Sequence, residues 1–527
     1  MTAPLALVRR ALRDARTRTL AFAYLFAAYA YIQPVGFRHA YPTETDRVAF
    51  AHSFAANKGL RLIYGQPFDV VSVGGYTAWR VGGTLAIAAA IFGVLAAVRA
   101  LRAEEDTGRM ELVLSAPVGR RTAYRAAVAA IGVGVFALWA AELVGFVAGR
   151  LPLGGSAYLA LATASVAAVF VGVGAVACQI APSRRIAMGL GLTTAAAALL
   201  LRVVADTTDT GWLRWATPLG WAEEMRPFTG AQPLVVLAPA AATLLLLVLA
   251  WRLAAERDVG TGLVHARETS PPRLALLSSP TAQAVRASAG TLAAWTAGIA
   301  VFAVILGVVS ESVTSADISE NVKRQISKLG SGNIATPTGY LAFVFIFFIL
   351  AASLFVCAQI GATRNEEAEP RLETLLSVPV GRGRWLSGRL ALAAAGAALL
   401  AFTAGLCTWA GAASAGVDVS LADMLQAGAN CMPVALLFLG LAALAYAVVP
   451  RASAGIAYGL VTVAFLWQLV GSIAGVPHWL VDVTPFAHVG LVPTQSFRVL
   501  AAAVMVAIGA TAAATAIAVF RRRDLIA

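Results

Sequence analysis

About twelve times along this chain of 527 residues there is an apolar run of roughly 20 residues, long enough as a helix to cross a hydrocarbon core of about 30 Å. The runs cover 20–37, 78–98, 123–148, 157–181, 186–205, 233–254, 290–310, 339–362, 388–413, 429–449, 454–475 and 497–520. With 59% hydrophobic and 13% charged residues the chain is too apolar for a soluble domain. It reads as an all-α polytopic membrane protein. No cleavable signal peptide is expected, because the first apolar run follows an arginine-rich helix and lacks a convincing cleavage site.

Two of the polar connections are copies of each other. EEDTGRMELVLSAPVGRR, from Glu104, and EEAEPRLETLLSVPVGRG, from Glu366, agree at 10 of 18 positions at an offset of 262 residues, while the apolar sequence around them has diverged. Such a repeat resets the count of independent units. On a helix, Met110, Val113, Leu114 and Leu372, Leu375, Leu376 form a narrow apolar stripe, which predicts an amphipathic helix lying along a membrane surface. Glu105 with Arg109 and Glu367 with Arg371 are pairs at i, i+4 that support it. Ser-x-Pro then ends the helix, and Gly119 and Gly381 allow the turn into the next span.

Charge sets the orientation, since arginine and lysine collect on the cytoplasmic side. With the N-terminus inside, the cytoplasmic segments hold 27 Arg and 13 acids, and the external ones 10 Arg, 3 Lys and 13 acids. Both termini and both repeated loops are therefore expected in the cytoplasm, in a multi-pass plasma (inner) membrane protein. The net charge of +13 follows the membrane rule and does not argue for nucleic acid. The four cysteines all fall inside expected spans without ligand spacing and read as small buried hydrophobes.

Six expected spans per half, an even number, make the halves parallel repeats related by an axis along the membrane normal. The halves are 1–262 and 286–527, joined by a cytoplasmic linker over 263–285. Residues 1–19, with five arginines among leucines, read as an interfacial helix leading into the first span. Thr217-Pro218 and Thr484-Pro485 each precede the last span of a half, within stretches that suggest short helices dipping into the outer face. The external loops 38–77 and 311–338 fit either a cap or plain connections.

No P-loop can be built, because Lys58, Lys323 and Lys328 all lie outside a G-x-x-x-x-G-K-[ST] context. No metal cluster or nucleophile–base arrangement is visible. The chain is expected to be no enzyme and to bind no cofactor.

The two E-E-x-x-x-R-x-E-x-x-L-S-x-P-V-G-R loops, the amphipathic N-terminal helix and six spans per half resemble the membrane subunit of an ABC-2 type (type V) exporter. Two halves fused in one alanine- and arginine-rich chain are most similar to the polyketide antibiotic (tetronasin-type) and multidrug exporter permeases of actinobacteria. The resemblance implies that 104–117 and 366–379 are coupling helices docking on two copies of a separate ATPase, which would bind the ATP and Mg. It assigns Glu104, Glu105, Arg109 and Glu111, and Glu366, Glu367, Arg371 and Glu373, to that docking. The copies differ where Gly108 faces Pro370 and Leu112 faces Thr374. The cargo implied is a hydrophobic or amphipathic drug or antibiotic leaving the cell.

Within the spans, Glu142 is a functional candidate by default, although it sits eight residues before Arg150, which favours an interfacial role or a pairing with a neighbouring helix. Arg202 and Asp206, at i, i+4, read as a structural ion pair. The resemblance makes the second and fifth spans of each half cavity-lining. That points to Phe92, Phe345, Phe348, Phe355, Phe465 and Trp467 around a hydrophobic substrate; packing toward lipid explains the same rings. The rival reading is a proton-coupled secondary transporter with six plus six spans. Its usual G-x-x-x-D-R-x-G-R-R loop is replaced here by the repeated motif.

Overall fold

The computed structural model describes residues 3–54, 61, 64–106, 108–116, 118–207, 210–256, 262–263, 279–313, 336–367, 381–474 and 482–523. Among them there are helices and turns and no strand. Among the described residues eleven helices are long and apolar enough to span a membrane, and Ser453–Gln468 is a shorter apolar stretch. The protein is an all-α polytopic membrane protein. Most of the expected linker (264–278), most of the loop 311–338, and the second repeated loop from 368 to 380, with Arg371 and Glu373, lie outside the described residues.

The chain divides into two compact units, Met1–Ser270 and Pro271–Ala527. Unit 1 contains α1 (Ala3–Ala40), α2 (Glu44–Phe54), α3 (Val73–Leu101), α4 (Ala103–Asp106), α5 (Arg109–Leu114), α6 (Arg120–Ala148), α7 (Leu153–Ile180), α8 (Arg184–Thr207), α9 (Pro218–Glu224) and α10 (Leu237–Glu256). Unit 2 contains α11 (Pro280–Val309), α12 (Pro337–Glu367), α13 (Arg382–Ser414), α14 (Leu421–Ala429), α15 (Met432–Val448), α16 (Ser453–Ala474) and α17 (Val499–Arg522).

The neighbours are the same in each unit. In unit 1, α1 packs on α6, α3 on α7 and α7 on α10; in unit 2, α11 packs on α13, α12 on α15 and α15 on α17. These contacts rest on small residues, because apolar side chains gain nothing by leaving lipid for one another and close backbone approach supplies the attraction. A methyl group on Gly93 of α3 would stand 2.4 Å from the Ala167 carbonyl oxygen of α7, and one on Gly440 of α15 would stand 2.0 Å from that of Gly509 in α17. The G-x-x-x-G patterns divide differently. Gly145 sits against the Ala27 carbonyl of α1, whereas Gly455 and Gly459 face open space.

The expected interfacial segment and the first span are one continuous 38-residue helix, α1. It overruns its apolar stretch, and Arg38 at its far end donates to the carbonyls of Gly149 (2.5 Å) and Arg150 (3.0 Å). That satisfies the acceptors that the C-terminus of α6 leaves over. Beyond it the chain folds back: α2 buries Phe50 against Phe37, Tyr41 and Tyr76, with Phe37 and Tyr76 stacked at 3.8 Å. The described part of the segment 38–77 is thus packed structure.

The Thr-Pro signals start short helical turns. The Thr217 hydroxyl accepts from the Leu219 amide (3.2 Å) and donates to the Ala198 carbonyl of α8 (3.1 Å). Thr484 donates to the Gln468 side chain of α16 (2.7 Å) ahead of the turn Pro485–His488. Each threonine caps its turn or precedes it, and ties that segment to the fifth long helix of its own unit.

Candidate functional site

The first repeated loop hangs from the end of α3. Arg102, at the C-cap of α3, has a fully buried side chain whose guanidinium serves three acceptors. Nη1 meets Glu105 at 2.9 Å, Nε meets Asp106 at 3.3 Å, and Nη2 donates to the Pro182 carbonyl at 2.6 Å, in the turn between α7 and α8. A buried guanidinium is tolerable when carboxylate and carbonyl oxygens surround it this way. Asp106 also accepts from the backbone N–H of Arg184 at 2.8 Å, placing a carboxylate on the positive end of α8. Glu104 pairs with Arg10 of α1 at 3.1 Å, and Arg10 reaches Asp14 at 3.8 Å.

The helix expected over 104–117 is two short helices, α4 and α5, broken at Gly108, whose φ is +70°. Glycine reaches that conformation without the steric cost of a Cβ. The loop therefore turns its first acids onto its own chain and leaves Glu111 of α5 exposed. Met110 and Val113, the described part of the apolar stripe, face a cavity between α1, α3 and α6. The Arg109 side chain lies outside the described residues.

In unit 2 the paired glutamates at the end of α12 are also engaged within the chain. Glu366 forms a salt bridge with Arg389 of α13. Glu367, buried, accepts from the hydroxyl of Tyr446 in α15 and pairs with Arg523 just past α17. Arg523 further donates to the Tyr446 carbonyl (2.9 Å), packs over the rings of Tyr446 and Phe520, and accepts from Arg382 of α13 through its own carbonyl (2.8 Å). One arginine thus ties four helix ends together.

Sequence reasoning named the glutamates and missed their partners: Arg10, Arg102, Asp106, Arg389, Tyr446 and Arg523. One signal was readable, because Arg102 and Arg364 precede the glutamate pairs at the same spacing in both copies, extending the motif to R-x-E-E. Asp106 directly follows Glu105, and Arg10, Arg389, Tyr446 and Arg523 come from distant helices, with nothing local to mark them as partners of the glutamates.

Glu142 is fully buried between α6 and α7, where Thr163 donates to its Oε1 at 3.1 Å; its Oε2 finds no partner among the described residues. Phe92 lies on the wall of the α1–α3–α6 cavity, edge-to-face with Phe22 at 5.2 Å. Phe345, Phe348 and Phe355 are packed inside unit 2, against neighbours that include Phe302 and Trp295. Phe465 meets Phe486 and Phe347, and Trp467 is 42% exposed.

At the opposite end of unit 1, Arg202 and Asp206 pair at 3.6 Å and belong to a larger network. Arg202 reaches Glu223 (3.3 Å), Arg214 bridges Asp206 (2.7 Å) and Glu224 (3.0 Å), and Arg226 closes on Glu224 (2.7 Å). Burial pushes the Glu223 carboxyl up to about 8; Arg202 and Arg214 oppose the shift and the Asp206 carboxylate adds to it.

The family described as "Multidrug efflux system permease Rv1217c, C-terminal domain" matches residues 51–252 and 277–521. The multidrug efflux system permease protein Rv1217c of Mycobacterium tuberculosis is 31% identical over 489 residues, which cover 92% of this chain and 88% of that protein.

Proposed function

From the premise that the chain belongs to the family of multidrug efflux system permeases, we propose that it is the membrane subunit of an ATP-driven ABC-2 type exporter. Two copies of a separate ATPase subunit bind its two repeated loops and carry the ATP and Mg. The cargo is a hydrophobic or amphipathic compound, including antibiotics of the polyketide class, moved out across the plasma membrane with the loops on the cytoplasmic side.

The observation that carries this reading is the loop present twice at 10 of 18 identical positions between diverged spans. A solvated turn has no reason to keep Glu, Arg, Ser and Pro in register; two docking sites for the same partner do. The geometry supports a division of labour within it. Exposed Glu111 meets the ATPase, and the acids before it pass the displacement inward. A push on α4 is felt by α3 and the α7–α8 turn through Arg102, and by α1 through Arg10. In unit 2, Glu366 and Glu367 play the same part toward α13, α15 and α17. Energy enters through contact, and this chain performs no chemistry.

Purification of the tagged protein from its native membranes in a mild detergent tests the reading. The expected result is a co-purifying ATPase near two copies per chain, whose hydrolysis rises with added hydrophobic drug. A folded protein that arrives alone in several detergents and exports drug under a proton gradient without ATP sinks it. The second reading, proton-coupled export, then gains weight, because Glu142 is a buried carboxyl with an unmet oxygen and Glu142→Gln would abolish such transport.

A further inference from the structure

The cavity between α1, α3 and α6 has a volume of about 220 Å³, a narrow chamber somewhat below the usual 300 to 1,000 Å³ of small-molecule pockets. Its volume comes from sequence. On α6, Ala123, Ala127, Ala130 and Gly134 recur at helical spacing, and opposite them α1 presents Ala11 and Ala15. Two facing stripes of small side chains cannot fill the space between their helices. Phe22 and Phe92, edge to face, line one end.

The other end is a charged mouth. Of its two acids, Asp14 and Glu104, both are engaged by Arg10. Arg18 and Arg99, both exposed, line the same mouth without an acidic partner among the described residues, although Arg18 donates to the Asp14 carbonyl at 3.4 Å. From Phe92 to Arg99 the rise along α3 is about 10 Å. An apolar chamber thus opens, about two helical turns away, on two guanidinium groups that have no carboxylate to meet.

We propose that this cavity is a binding site for an anionic amphiphile: an apolar tail seated against Phe22, Phe92 and the alanine stripes, with a single phosphate, carboxylate or sulfate held by Arg18 and Arg99. A cation would add a like charge to the mouth, and a zwitterion would bring its own positive group there. An anion matches both arginines, through charge-assisted hydrogen bonds that suit guanidinium geometry. The site stands on this geometry and not on the ATP-driven reading, and it fits both an acidic phospholipid of the bilayer and an anionic cargo.

The test uses the full chain in a maltoside detergent, titrated calorimetrically with dodecyl phosphate and with dodecylphosphocholine. The phosphate is expected to bind saturably and about tenfold tighter, the scale of one charge-assisted hydrogen bond. Arg18→Gln with Arg99→Gln should erase that preference, and Arg18→Lys with Arg99→Lys should keep most of it. Ala127→Phe, or Ala130→Leu if the first variant does not melt like the parent, should block binding by filling the chamber without touching a charge. Phospholipid retained from native membranes distinguishes the sources. Acidic lipid near one per chain, lost in the double glutamine variant, identifies a resident lipid; none retained, with dodecyl phosphate still saturating, identifies a diffusible anion. Equal affinity for the two detergents, or a double glutamine variant that binds like the parent, overturns the proposal.

Discussion

Arg102 and Arg523 show how a charge is kept in a membrane protein's interior. Arg102 meets two carboxylates of the next helical turn and a carbonyl 80 residues on, and Arg523 meets a carboxylate and a carbonyl from helices remote in sequence, so each is affordable only in the folded state. Removing one partner leaves the other charge buried and unmet, at a cost of several kcal/mol. Arg102→Ala is therefore expected to destabilise the protein by about 3 kcal/mol, read as a lower melting temperature in detergent, with Glu367→Ala behaving alike in unit 2. A melting curve within error of the parent would show that neither clasp matters. At the other end of unit 1, Glu223 holds its proton in the folded protein to about pH 8, whereas an unfolded carboxyl releases it in the ordinary acidic range. The folded state thus binds more protons, and the contribution is full in acid and lost as pH rises toward 8. Melting temperature should fall between pH 5 and 8.5, and Glu223→Gln should flatten that slope. These residues also show the reach of sequence reasoning. Glu105 and Glu367 were legible because they repeat; Tyr446 and Arg523 were not, since nothing local marks a side chain whose partner lies 79 or 156 residues away.

At the scale of elements, one backbone angle separates the expected loop from the observed one. Periodicity across 104–117 is helical, and the pattern of apolar residues cannot register that Gly108 turns to φ +70°. Placing a branched side chain there costs on the order of 1 to 3 kcal/mol locally. Gly108→Val should therefore leave the spans folded while uncoupling drug-stimulated ATP hydrolysis in the reconstituted complex; full stimulation would show that the break has no mechanical role. The opposite case is Gly440, where α15 and α17 touch backbone to backbone. Gly440→Leu must push those helices apart, and a loss of about 1 to 3 kcal/mol, or more, is expected, checked by the yield and melting temperature of the purified variant. The lengths of the spans were legible from hydropathy alone. Which glycines sit at contacts was not, as Gly145 and Gly455 read identically in sequence and only Gly145 is packed.

At the scale of the whole molecule, each unit carries its own buried cluster and the same order of helix neighbours. Residues 1–270 and 271–527 produced as separate polypeptides should therefore each insert and resist proteolysis; rapid degradation of either half alone would show that its core is incomplete. The sequence by itself determined the class, the approximate spans and the repeated loop, because these depend on length, hydropathy and local spacing, which a chain carries before it folds. Only the tertiary structure decided which charges are satisfied and where space is left. Whether Glu104 faces a partner or Arg10, and whether alanine stripes meet a bulky neighbour or each other, depends on which helices come together, and that is fixed by the sum of many weak contacts between residues far apart in the chain.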